Sequence, residues 1–110
     1  MTDAAFNPDS LVSPVTSEIR LVILDIDGTI SGESNEVNPA VVEALQAAKH
    51  QGIQIAIATG RMYCSALYFA QAIGADLPII CYNGAWIRDT QTDKTLWHLP
   101  VPRELALELL

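Results

Sequence analysis

Basic side chains are scarce in this sequence: six Lys and Arg stand against thirteen Asp and Glu in 110 residues, a formal charge of -7. That balance repels a phosphodiester backbone and leaves no basic stripe to hold one, so no nucleic acid is expected as a partner. A small phosphorylated ligand is compatible with it only where a metal ion or a cluster of backbone N–H groups reverses the local sign. Cysteine is nearly absent as well. Cys64 and Cys81 belong to no CxxC or Cys/His cluster, and both are expected as reduced core residues, one on a helix and one on a buried strand. No apolar run approaches the roughly 18 to 20 residues of a membrane span. The first twenty residues carry no Lys or Arg before Arg20 and no apolar stretch of signal-sequence length. No membrane partner is expected, and the expected compartment is the cytoplasm.

What is present is apolar substance: half of the residues are hydrophobic, enough for a modest core within one domain at most. Residues 1–17 carry Pro8 and Pro14 among polar residues without periodicity, and are expected to form a flexible tail. Arg20 to Ile26 (RLVILDI) is a continuous apolar run ending in a carboxylate, the pattern of a parallel strand covered on both faces. Asn38 before Pro39 caps a helix over about 39–51, with Val41, Val42, Leu45 and Ala48 on one face and Gly52 as the stop. Ile53 to Ala58 reads as a second strand, so the three elements make one crossover unit with parallel strands. A further helix is expected from Met62 to Ile73, with Met62, Ala66, Phe69, Ala70 and Ile73 on its apolar side and Gly74 closing it. Ile79 to Tyr82 is the expected third strand. Beyond it, Ala85 to Arg88 and Thr95 to His98 flank a polar turn and predict a hairpin, and Pro102 opens an amphipathic helix through Leu105 and Leu109. Trp86 and Trp97 are expected to face each other across that hairpin or to pack on a surface, and His50 and His98 to be exposed.

Open parallel sheets bind ligands at the carboxyl ends of their strands, and three such ends carry distinctive polar groups: Asp25-Ile26-Asp27-Gly28-Thr29, Thr59-Gly60-Arg61 and Asn83-Gly84-Ala85. Because strand side chains alternate, Asp25 and Asp27 are expected on the same side, with two negative charges within a few ångströms of each other. Carboxylates so placed divide their labour. One, kept ionised by a cation, attacks; the other exchanges a proton with the leaving group. Gly28 lets the chain leave the strand sharply, and its N–H and that of Thr29 are candidates to face a phosphate. The Thr59 hydroxyl reaches for the same phosphate from the neighbouring strand end, and Arg61 adds charge.

DIDGT, ATGR and YNGA together resemble the motifs of the haloacid dehalogenase (HAD) superfamily, in particular its Cof-type phosphatases, from about Arg20 to the chain end. The resemblance implies a Rossmann-like α/β fold whose parallel sheet has strand order 3-2-1, with the core in 18–84 and the start of an α/β cap, cut short, in 85–110. It implies that Asp25 forms an aspartyl-phosphate and that Asp27 is the general acid and base. Mg2+ would be held by the Asp25 carboxylate and the Asp27 main-chain carbonyl, and Thr59 would bind the phosphoryl group of a small phosphorylated metabolite, sugar phosphates being favoured. Gly60, Arg61 and Asn83 lie in the matching segments near substrate.

Two family features have no counterpart: a lysine that steadies the phosphorylated aspartate, and a downstream acidic pair that completes the magnesium site. Lys49 and Lys94 both read as solvated. In the family order the later strands add beside the first one, so that edge is left bare here and invites a second chain to complete the sheet. One rival reading is therefore an inactive HAD-like interaction module that works through its free edge. Another is a calcium loop: Asp25, Asp27, Thr29, Glu33 and Glu36 fall at positions one, three, five, nine and twelve of an EF-hand pattern. That loop needs glycine where Ile30 stands and a helix where LVIL reads as a strand.

Overall fold

The computed structural model describes residues 18–110; the expected tail at 1–17 lies outside the described residues. β1 (Leu21–Leu24) and β2 (Gln54–Ile57) form a parallel ladder in which Leu21 faces Gln54 and Leu24 faces Ile57. The crossover between them is α1 (Pro39–His50), started by Asn38, whose Oδ1 accepts the Ala40 N–H at 2.9 Å. α2 (Tyr63–Ile73) follows, and Gly74 ends it in the left-handed region at φ +73. Lys49 reaches across from α1 to donate to the Gly74 carbonyl at 2.7 Å. It is thus a tie between the two helices and not the solvated side chain expected.

β3 (Ile79–Cys81) lies beside β2, joined to it by one parallel bridge between Ala58 and Ile80, where the Thr59 N–H donates to the Ile80 carbonyl at 2.8 Å. The expected 3-2-1 order therefore appears as a two-stranded ladder with the third strand attached at a single point. β3 makes its own ladder on its other side, antiparallel to β4 (Trp86–Arg88), which in turn pairs with β5 (Thr95–His98). Sequence reading anticipated the hairpin of β4 and β5 but not the pairing of β4 with β3, which follows from the short turn at Tyr82–Gly84. α3 (Arg103–Leu109) ends the chain, with Leu105, Leu107 and Leu109 exposed.

The core lies between the parallel ladder and the two long helices. Ile26, Ile30, Ile55, Ile57, Ile73, Ile79 and Cys81 are wholly buried there, together with Ala66, Phe69 and Ala70 of α2. Because α1 and α2 pack against each other, both cover the same face of the sheet. Val22 and Leu24 point into the core, whereas Leu21 and Ile23 on the opposite face are 46% and 51% exposed. The expectation that the first strand is covered on both faces is thereby corrected. Three smaller expectations change too. Cys64 is exposed and only Cys81 is buried, and both are free thiols. Met62 is exposed at the N-cap of α2 and takes no part in its apolar face. Trp86 stands opposite His98, not Trp97, across the hairpin, and Trp97 is exposed. His50 and His98 are exposed, as expected. β1 is a strand, so the helix that an EF-hand needs before its loop does not exist. Among the described residues no helix is long and apolar enough to cross a membrane.

Candidate active site

The three polar strand ends meet at the carboxyl edge of the sheet. Asp25, Ala58, Thr59, Gly60, Asn83 and Gly84 line a common cleft of about 380 Å³. β1 stops at Leu24, and the chain after Asp25 coils into a tight turn in which the Ile26 carbonyl accepts the N–H groups of Thr29, Ile30 and Ser31 at 3.2, 2.9 and 3.0 Å. Burial of Ile26 and Ile30 anchors this turn, so the positions of Asp25 and Asp27 are set by the turn and not by strand alternation. Gly28 has φ +80, the sharp exit that its lack of a Cβ permits. Its N–H already donates to the Ser31 carbonyl at 2.9 Å, and that of Thr29 to Ile26. These two amides are therefore committed within the turn, and neither residue lines the cleft. The expectation that they face a phosphate meets that obstacle.

Asp25 is exposed, with Oδ1 accepting the Ile26 N–H at 2.8 Å. Among the described residues no side chain donates to its other oxygen. Thr59 is buried, and its Oγ1 accepts the Arg61 N–H at 3.0 Å. That bond uses an oxygen lone pair and leaves the hydroxyl proton to donate elsewhere.

Arg61 does not enter the cleft as a free cation. Its Nε and Nη2 form a fork on Asp27 at 3.0 and 2.6 Å, Nη2 also donates to Asn35 Oδ1 at 2.8 Å, and Nη1 donates to Ser65 Oγ at 2.9 Å. The guanidinium rests on the Phe69 ring at 4.8 Å from its centroid. This fork sets the guanidinium charge directly against the Asp27 carboxylate. It holds the Asp27 carboxyl below its usual range, chiefly through the side-chain hydrogen bond, and raises the guanidinium in turn. Asn35, at φ +59 in the loop after DIDGT, is a residue that sequence reading missed; an Asn in a left-handed turn was its only signal.

The third strand end is locked to the second. The Tyr82 N–H donates to the Arg61 carbonyl and the Asn83 N–H to the Thr59 carbonyl, both at 3.0 Å. Tyr82 and Asn83 both lie in the left-handed region, at φ +51 and +55, a strained conformation for two successive residues other than glycine. The Asn83 amide sits directly over Gly60: a Cβ there would lie 2.9 Å from Asn83 Oδ1. Gly60 is required for this close approach rather than for an unusual φ.

For a magnesium ion the chain offers oxygen donors of the right hardness, the Asp25 carboxylate and the Asp27 main-chain carbonyl, while the Asp27 side chain is taken by Arg61. Among the described residues no group of three or more His, Cys, Asp or Glu converges. The donor set thus fits part of an octahedral shell, with the remainder left to water or to residues outside this chain.

A crossover-linked parallel sheet with carboxylates at its first strand end and a hydroxyl at its second is the arrangement expected of the family that the sequence motifs resemble. Comparison with known proteins agrees: the family model of haloacid dehalogenase-like hydrolases matches residues 22–110, and the chain belongs to that family. It is 36% identical over 91 residues to the pyridoxal phosphate phosphatase YbhA of Escherichia coli (strain K12), covering 83% of this chain and 34% of that protein. A haloacid dehalogenase-like hydrolase from Bacteroides thetaiotaomicron superposes with a TM-score of 0.75 at 25% identity, over 84% of this chain and 36% of that one. A HAD subclass IIB sugar phosphatase superposes with a TM-score of 0.63 at 28% identity, over 77% of this chain and 33% of that one. The chain spans about a third of the length of the curated relatives it matches.

Proposed function

We propose that this chain carries the nucleophile-bearing part of a magnesium-dependent phosphomonoesterase acting on small phosphorylated metabolites in the cytoplasm. The observation that carries the reading is the cleft in which Asp25, Thr59 and Asn83 converge, in a chain of this family. An Asp25 carboxylate oxygen attacks phosphorus, the bond from phosphorus to the ester oxygen breaks, and Asp27 protonates the departing oxygen. Water then attacks the phosphorus of the aspartyl-phosphate, Asp27 takes its proton, and inorganic phosphate and free Asp25 result. The Thr59 hydroxyl donates to a phosphoryl oxygen. Arg61 serves this reading by aiming Asp27 rather than by gripping phosphate. Its fork favours the ionised carboxylate that accepts a proton, so the donating half requires the fork to release one oxygen. Magnesium, when bound by Asp25 and the Asp27 carbonyl, supplies charge neutralisation between the nucleophile and the phosphate.

Residues 18–84 form the core in this proposal and 85–110 the start of a cap. Sugar phosphates are included as substrates because one structural neighbour is a sugar phosphatase, and phosphorylated heteroaromatics because one relative is a pyridoxal phosphate phosphatase. The free edge of β1, which ladders only with β2 among the described residues, favours a second reading, an inactive module that pairs with another chain through that edge. Incubating the purified chain with an aryl phosphate, with and without magnesium, beside Asp25→Asn separates the two. Magnesium-dependent phosphate release that falls by on the order of 10⁴-fold in the variant supports the enzyme. A folded chain that releases none supports the module.

A further inference from the structure

The fork between Arg61 and Asp27 has unequal ends. On the arginine side, Arg61, Ser65 and Phe69 recur at the spacing of one helical turn, a stripe that runs from just before α2 into its second turn. Ser65 Oγ takes Nη1 at 2.9 Å, and the buried Phe69 ring lies 4.8 Å from the guanidinium carbon. Asn35 adds a contact from the loop after β1, accepting from Nη2 at 2.8 Å. The Arg61 main chain is pinned as well: its N–H donates to Thr59 Oγ1 and its carbonyl accepts the Tyr82 N–H, both at 3.0 Å.

The other end has no such support. The Asp27 side chain is 60% exposed against 22% for Arg61, and among the described residues it has no side-chain partner besides the arginine. Opening the fork therefore leaves the guanidinium with three contacts and the carboxylate with none from another side chain. The aspartate is the member free to move. Asn35 carries a second sign of this division. At φ +59 glycine would make the same turn without strain, and the side chain present instead is one whose oxygen the guanidinium uses.

We propose that Ser65 and Asn35 are positioning residues. With Phe69 they hold the Arg61 guanidinium in place without help from Asp27, so that Asp27 swings out of the fork to serve the departing oxygen and returns to a cation that has not moved. The swing rests on the phosphatase reading; the cradle rests on its own contacts.

The test asks which partner holds the other. Asp27→Ala and Asp27→Asn empty the fork at an exposed position, and the arginine side-chain N–H groups of the 110-residue chain are followed by NMR. The Arg61 guanidinium is expected to stay ordered in both variants, with slow rotation about its Cζ–N bonds and nuclear Overhauser contacts to the Phe69 ring. Adding Ser65→Ala with Asn35→Gly, the latter free of backbone strain, is expected to release it. Ser65→Thr with Asn35→Asp, which keep an acceptor oxygen at both positions, is expected to hold it. A guanidinium set loose by Asp27→Ala alone, or still ordered once Ser65→Ala and Asn35→Gly are added, overturns the proposal. With Asp27 in place, turnover of an aryl phosphate with magnesium supplies a readout that a merely structural tie would not move. Ser65→Ala with Asn35→Gly is expected to lower kcat roughly ten- to hundredfold while KM changes by less than about twofold. An unchanged kcat in a chain that turns over overturns the positioning role and leaves the phosphatase reading standing. If the wild-type chain releases no phosphate, the phosphatase reading falls and the swing with it, while the ordering of Arg61 still decides the cradle.

Discussion

The loops at the strand ends and the hairpin with its final helix are built on opposite terms. In the first region hydrogen bonds cross between segments distant in sequence: Arg61 to Asp27, Asn35 and Ser65, Tyr82 to Arg61, and Asn83 to Thr59. In the second, bonds stay close to home, as in the turn where Asp89 accepts from the Gln91 N–H and the Thr92 hydroxyl. The large apolar side chains there, Leu96, Trp97, Leu105, Leu107 and Leu109, are left in solvent. One region is tied together by bonds between segments of the described residues. The other presents surface without a counterpart, in a chain a third as long as its relatives.

The contrast breaks if both regions respond alike to truncation. Ile57→Ala, at a wholly buried position of β2 beside the cleft, is expected to cost about 2–5 kcal/mol in urea denaturation. Leu109→Ala, in α3 at 76% exposure, is expected to stay within about 0.5 kcal/mol. Comparable losses at the two sites would mean that α3 is packed in solution. A finer probe is Gly60→Ala, whose Cβ meets the mobile end of Asn83 rather than backbone. It is expected to cost only about 1 kcal/mol while displacing the Asn83 amide resonances. Unmoved resonances would mean that Asn83 is not over Gly60.

Much of this was legible in the residues. Asn38-Pro39 and Gly74 announce helix ends because capping is a local matter, decided within a few residues. The same locality makes the strand-end placement of Asp25, Thr59 and Asn83 readable. What could not be read depends on partners far along the chain. Leu21 and Ile23 have the side chains of a buried strand, yet which face is covered depends on both helices crossing on one side. Cys64 and Cys81 are chemically alike, and only packing separates the exposed one from the buried one. In the site, an arginine after Thr-Gly is equally suited to phosphate or carboxylate; only the approach of Asp27 decides. Tyr82 in a left-handed turn carries no sequence signal, since bulky residues rarely adopt it.

The smallest effect is expected in the hairpin turn. The bonds from Gln91 and Thr92 hold the Asp89 carboxyl below its usual range. Its stabilising contribution is therefore present above the ordinary carboxylate value near pH 4 and is lost as pH falls through the depressed folded value. Asp89→Asn should lessen the acid sensitivity of the hairpin amides in hydrogen exchange; unchanged sensitivity would mean that the turn owes nothing to that charge.

The account rests most heavily on the convergence of three strand ends on one cleft. Titrating the wild-type chain with inorganic phosphate and magnesium, followed by amide NMR, measures it directly. A single saturable event that moves Asp25, Thr59 and Asn83 together is the predicted result. Shifts confined to one of the three, or none in a folded chain, would contradict it.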